Sequence, residues 1–226
     1  MELLRWLYET ELHIGDSHIL WREIIGNLFG LASALGGMRR RVWAWPVGIV
    51  GNVLLFTVFL GAVFDTPANE NLYGQAGRQV FFVAVSIWGW QRWRALRDRE
   101  GDAEGHAIQP RWATATERLQ LLVLYGAGTV VLSYVLRELD SFGPWTEAWI
   151  LTGSILATWA MARGWIEFWL VWIAVDAVGV PSLIEAKLYP SAALYGFYGL
   201  FCVVGFVAWL RAERSSPTHH PQEASA

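Results

Sequence analysis

The chain has 226 residues, of which 54% belong to the set AVILMFWYC and only 16% are charged, with a mean hydropathy of +0.32. Charged residues run at about 25% in globular proteins, so this chain cannot clothe a water-facing surface in the usual way, which excludes a soluble enzyme. A net charge of −3 and a pI near 6.0 supply no basic field for nucleic acid, and a single cysteine, Cys202, excludes an intramolecular disulfide or a cysteine-based zinc site. The composition is that of an integral membrane protein.

In chain order, residues 1–20 do not read as a signal peptide, because Glu2, Arg5, Glu9, Glu11 and Asp16 interrupt any apolar core. They read as a short amphipathic extracytoplasmic segment at the interface. A spanning helix needs about 20 largely apolar residues to cross roughly 30 Å of hydrocarbon. Seven stretches approach this: 21–37, 42–64, 73–93, 118–136, 146–162, 165–183 and 190–210. The predicted fold is therefore an all-α integral membrane protein of seven transmembrane helices. Residues 211–226 are polar and rich in Pro and Ser, and are expected to be a disordered cytoplasmic tail.

Twelve of the 17 Lys and Arg residues fall on one side of this arrangement: Arg39, Arg40, Arg41, Arg92, Arg94, Arg97, Arg99, Arg111, Arg118, Arg163, Arg211 and Arg214. The positive-inside rule puts that side in the cytoplasm, the N-terminus outside and the C-terminus inside a cell membrane. An odd number of spans satisfies the alternation at every loop.

The chain also repeats. An offset of 124 pairs Trp21 with Trp145, Glu23 with Glu147, Arg39 with Arg163, Trp45 with Trp169 and Asn52 with Asp176. An offset of 116 then pairs Tyr73 with Tyr189, Phe81 with Phe197 and Trp93 with Trp209. The expected organisation is a three-helix repeat over 21–93, a cytoplasmic loop and linker helix over 94–136, and a second repeat over 146–210. One linker helix makes the two units parallel, an arrangement found in sugar-efflux carriers of the SWEET type.

Polar residues inside the spans mark the functional candidates, since an ionisable group at mid-bilayer costs about 2.5–3.5 kcal/mol on insertion scales. Asp176 falls near the centre of the sixth span, and with Trp169 and Trp172 it forms W-x-x-W-x-x-x-D on one helical face. Two indoles and a carboxylate on one stripe can stack a flat heterocycle and accept hydrogen bonds from it; the alternative is core packing and an interhelical bond. Asn52 is the repeat counterpart of Asp176, open to either role. Gln75 and Gln79 share a face of the third span, whereas Arg78 falls on the next face and is expected to snorkel outward. Trp88, Tyr195 and Tyr198 offer further ring faces. Trp90, Trp93 and Trp209 near the cytoplasmic ends read as an interfacial belt, and Trp45-Pro46 and Val180-Pro181 as helix ends or hinges. No Walker A or GxGxxG phosphate loop is present, no serine-hydrolase motif, and none of the five His lies in a span. No cofactor, metal or catalytic group is expected.

At Gly164-Trp165-Ile166-Glu167-Phe168-Trp169-Leu170-Val171-Trp172-Ile173-Ala174-Val175-Asp176, the chain resembles the PnuC family of vitamin-precursor transporters. Trp45-Pro46 and Trp88-Gly89-Trp90-x-x-Trp93 are similar to that family as well, over residues 20–210 in all. The resemblance implies facilitated diffusion through a three-one-three fold, with a cytoplasmic kinase trapping the substrate. It maps Trp169, Trp172 and Asp176 onto the substrate-binding stripe and the glutamine-bearing third span onto the opposite wall. Nicotinamide riboside is the family default. Its carriers usually have an aromatic residue three after the N/D, where this chain has Gly179; the lost ring leaves space for the larger riboflavin, with which similar actinobacterial members are associated. Thiamine is a third candidate, its cation pairing with Asp176. Proton-coupled transport and a membrane scaffold in which Asp176 only pins helices remain as competing functions, and the sequence is silent on homo-oligomerisation.

Overall fold

In the computed structural model the described residues are 11–14, 17–60, 63–64, 73–100, 106–139, 143–185 and 189–215. They form a small antiparallel hairpin, β1 (Glu11–Ile14) and β2 (Ser17–Leu20), followed by seven helices. These are α1 (Trp21–Met38), α2 (Ala44–Phe59), α3 (Tyr73–Glu100), α4 (Ala115–Glu138), α5 (Pro144–Ala162), α6 (Glu167–Glu185) and α7 (Tyr189–Ser215).

The helix ends follow local chemistry. Pro46 occupies the first turn of α2, where a missing N–H costs nothing, and Pro144 opens α5. Thr114 and Glu117 cap α4 reciprocally: the Thr114 hydroxyl accepts from the Glu117 N–H at 3.3 Å, and the Glu117 carboxylate accepts from the Thr114 N–H at 2.9 Å. Pro181, by contrast, sits inside α6, which continues to Glu185. Val180-Pro181 is therefore not a helix end.

Other boundaries differ from expectation. The hairpin takes residues expected to form an interfacial segment; residues 1–10 of that segment lie outside the described set. The second span was expected to reach residue 64, but α2 stops at Phe59 and gives way to a turn at 63–64. α3 runs on to Glu100 into the expected loop, and α7 to Ser215 into the expected tail, because charged, helix-favouring residues continue the helix once it leaves the apolar stretch. Residues 216–226 of the tail lie outside the described set.

α1, α2 and α3 pack in sequence, as do α5, α6 and α7; α4 lies against α5, and α3 meets α5 across the centre. α4 faces outward. Only 17% of its apolar stretch is buried, and Leu119, Leu122, Val131 and Tyr134 are each more than 60% exposed, the pattern of a lipid-facing helix rather than a soluble core. By length and apolarity alone, α4 and the Tyr195–Ser215 part of α7 qualify as spans.

The Arg-rich end holds the larger of two buried hydrophobic clusters. Trp93, Trp165 and Trp209 are fully buried there, with Trp45, Phe168 and Trp169 close behind. Trp93 and Trp209 are thus core residues, not belt residues; Trp209 Nε1 donates to the Gly37 and Met38 carbonyls at 3.3 and 3.1 Å. A strap of extended backbone, residues 106–114, closes this end. The Ala107 N–H donates to the Arg40 carbonyl at 2.8 Å, and the Arg111 N–H donates to the Gly164 carbonyl at 3.0 Å. Arg40 (φ 55°) and Gly164 (φ 74°) are both left-handed, and they occupy the equivalent tight turns α1–α2 and α5–α6. Arg111 forks onto Glu117, both bonds 2.8 Å, and this hydrogen bonding holds the Glu117 carboxyl down to about 2. Glu167, buried at the start of α6, accepts from the Ala113 N–H at 3.0 Å and from Arg118 Nε at 2.7 Å.

Candidate functional site

Inside the bundle lies a cavity of about 430 Å³, within the range of small-molecule sites. Six helices line it and α4 supplies none of the described lining residues. Each helix contributes a single stripe at helical spacing, as its buried face requires. α6 presents Trp169, Trp172 and Asp176; α2 presents Trp45, Gly48 and Asn52 at the same i, i+3, i+7 spacing. α7 presents Tyr195, Tyr198 and Cys202, and α3 presents Gln79, Phe82 and Ser86, again at i, i+3, i+7. α1 offers Gly30, Ala34 and Gly37, and α5 offers Ser154, Thr158 and Met161. Every one of these pairs of stripes is related by the offsets of 124 or 116 found in the sequence.

Trp169 is 3% exposed, wedged by Phe168 (ring centroids 4.3 Å apart) and Phe201 (6.1 Å), and lines the cavity. Trp172 is half-buried and its indole is the more available surface for stacking. Asp176 is 7% exposed and backs onto Gly199, and its Oδ2 has no protein partner. Gln79, 2% exposed, likewise has an unpartnered Oε1. Buried polar atoms left unpaired cost about 1–3 kcal/mol each. The cavity thus offers a stacking surface and orphan acceptors, which a planar heterocycle with N–H or O–H donors would satisfy.

The structure brings together Trp169, Trp172, Asp176, Asn52, Gln79, Tyr195 and Tyr198. Three expected residues lie elsewhere. Gln75 is exposed on α3, a turn beyond the cavity. Trp88 is 37% exposed, its ring facing outward with the Arg92 guanidinium 5.9 Å from its centroid. Gly179 is buried beneath Tyr195: a Cβ there would stand 2.7 Å from the Tyr195 ring. The space left by the absent aromatic at 179 is therefore filled by Tyr195 and gives no added room for riboflavin. Arg78, expected to snorkel outward, instead lines the cavity. The lining residues Ser86, Ser154, Thr158 and Cys202 escaped sequence reasoning. The i, i+3, i+7 spacing of the Trp169–Trp172–Asp176 stripe, applied from Gln79 and from Tyr195, would have found Ser86 and Cys202; Ser154 and Thr158 pair only with Gly30 and Ala34, which carry no such signal.

Residues 20–211 match the family model described as nicotinamide mononucleotide transporter. The chain is 34% identical to the riboflavin/roseoflavin transporter RibM of Streptomyces davaonensis, covering 94% of this chain and 96% of that one. It is 24% identical to the nicotinamide riboside transporter PnuC of Escherichia coli, covering 92% of each. A crystal structure of the vitamin B3 transporter PnuC aligns with a TM-score of 0.67 over 94% of this chain and 87% of that one, at 19% identity, a likeness of fold.

Proposed function

Since the chain belongs to the nicotinamide mononucleotide transporter family, we propose that it carries riboflavin across the cell membrane by facilitated diffusion, stacked on Trp172 and Trp169 with Asp176 and Gln79 accepting its hydrogen bonds. The chain is a membrane transporter of a vitamin or vitamin precursor, and its relatives are transporters rather than enzymes. One observation carries the choice of a neutral substrate: the cavity's described lining holds one formal cation, Arg78, and one formal anion, Asp176. Riboflavin is neutral at physiological pH and has ring N–H and ribityl hydroxyl donors. The relative at 34% identity supports the same reading.

Nicotinamide riboside is the second reading. Its fixed pyridinium charge suits the Asp176 carboxylate, and the family as a whole includes its carriers. Titrating purified protein with riboflavin, following quenching of flavin fluorescence by the indoles, and then competing with nicotinamide riboside separates the two. Saturable quenching that nicotinamide riboside reverses only weakly supports riboflavin; no quenching, with tight binding of the riboside, supports the second.

The wider organisation we propose is two parallel three-helix repeats, α1–α3 and α5–α7, joined by α4. The paired stripes and the paired turns at Arg40 and Gly164 support it. The distribution of arginines supports an external N-terminus and a cytoplasmic strap and C-terminus. A reporter fused after Arg99 should then show cytoplasmic activity, and one fused at Asp140 should not. Phosphorylation of the carried vitamin by a cytoplasmic kinase would make uptake net inward.

A further inference from the structure

We propose that Arg78 is a specificity-determining residue: its guanidinium balances the Asp176 carboxylate across the cavity, so that the site prefers a neutral heterocycle to one with a fixed positive charge. The inference deepens the transport reading and rests on it.

Arg78 lies on the first turns of α3, about 7 Å along the helix from Tyr73 at 1.5 Å per residue. It faces the same cavity as the Trp169–Trp172–Asp176 stripe, near the end remote from the tryptophan core. Its Nε is buried with no protein partner, and so is Asp176 Oδ2. No ion pair joins the two among the described residues, so neither charge is spent on the other. Arginine does not deprotonate in proteins, so its charge is permanent. Gln79, its neighbour in sequence, places a neutral acceptor beside it.

With both charges in place the cavity is formally neutral. A cationic substrate would have to shed its hydration without net attraction in return, whereas a neutral ring loses far less. The ring's carbonyls can accept from the guanidinium while its N–H or hydroxyl groups donate to Asp176. Removal of the Arg78 charge leaves Asp176 alone and turns the cavity into a site for cations. A unit charge within about 10 Å at an effective dielectric near 20 changes affinity on the order of tenfold.

Binding to the purified full-length protein tests this. Riboflavin is followed by quenching, and nicotinamide riboside and its reduced, uncharged dihydro form by competition. The two ribosides share a shape and differ in charge. Wild type should bind the reduced form on the order of tenfold more tightly than the cation. Arg78→Gln should erase or reverse that preference, and Arg78→Lys should retain it. Equal affinity of wild type for the two ribosides overturns the proposal without any variant, as does a folded Arg78→Gln protein with an unchanged preference. If wild type binds none of the three ligands, the transport-site reading itself fails and this inference falls with it.

Discussion

The Trp169 indole lies so close to the backbone of Gly205 that no Cβ fits between them. Trp45 and Gly89 make the same contact in the other half of the bundle, where a Cβ would stand 2.6 Å from the ring. Both tryptophans also meet a second indole edge-on, Trp93 at 5.2 Å and Trp209 at 6.3 Å. One packing solution thus serves both halves, at the positions the sequence offsets pair.

Overfilling such a contact costs about 1–3 kcal/mol, more than the roughly 1 kcal/mol that Ala gains over Gly in a helix. Gly89→Ala and Gly205→Ala should each lower the unfolding temperature in detergent. Gly126→Ala, where a Cβ would meet nothing within 4 Å, should raise it. Equal shifts in all three would show that the indoles yield freely.

The strap makes stability depend on pH. The Glu117 carboxyl, in the first turn of α4 before the apolar run that begins at Leu119, is held below its ordinary 4.5, at about 2, chiefly by the Arg111 hydrogen bonds. A depressed acid contributes stability that is fully present above 4.5 and is lost as pH falls towards 2. The gap in unfolding temperature between wild type and Glu117→Gln should therefore be constant above about pH 5 and narrow in acid. A gap that widens on acidification would contradict the assignment.

Where the sequence is legible, it is so because the bilayer simplifies the problem. Long apolar runs placed helices near their observed positions, and the W-x-x-W-x-x-x-D stripe led to the cavity, because helical spacing alone sets which side chains share a face. What one sequence hides is the rotation of each helix against its neighbours. Trp88 and Gln75 lie on the same helix as Gln79 yet turn away from the cavity, and Arg78 turns towards it. Gly179 shares a face with Asp176, but the ring that covers it comes from α7, at a distance no local pattern records. The burial of Trp93 and Trp209 was hidden in the same way, by a strap whose packing residues, Ala107, Ile108 and Ala113, are individually unremarkable in sequence.

Gly179 and Tyr195 should therefore behave as a coupled pair. Gly179→Ala should weaken substrate binding by pushing the Tyr195 ring into the cavity, and Tyr195→Ala should make the added methyl nearly neutral. Contacting residues show coupling of about 0.5–3 kcal/mol in a double-mutant cycle. Additive effects on affinity would mean that the ring does not rest on residue 179.

Trp172→Ala should remove aromatic stacking worth roughly 0.5–1.5 kcal/mol beyond area burial, weakening binding by several-fold to about tenfold. Trp88→Ala, on the outer face, should leave affinity unchanged. Titration of the two folded variants with riboflavin checks both, and unchanged affinity in Trp172→Ala would remove that residue from the site.

In the proposed mechanism the bundle passes a vitamin through the Trp169–Trp172–Asp176 cavity without an energy source. Counterflow in proteoliposomes checks this, with unlabelled riboflavin inside and labelled riboflavin outside. The expected result is a transient, saturable accumulation of label, insensitive to a protonophore and sharply reduced in Trp172→Ala. No saturable exchange of riboflavin or nicotinamide riboside by wild type, or accumulation that a protonophore abolishes, would contradict it.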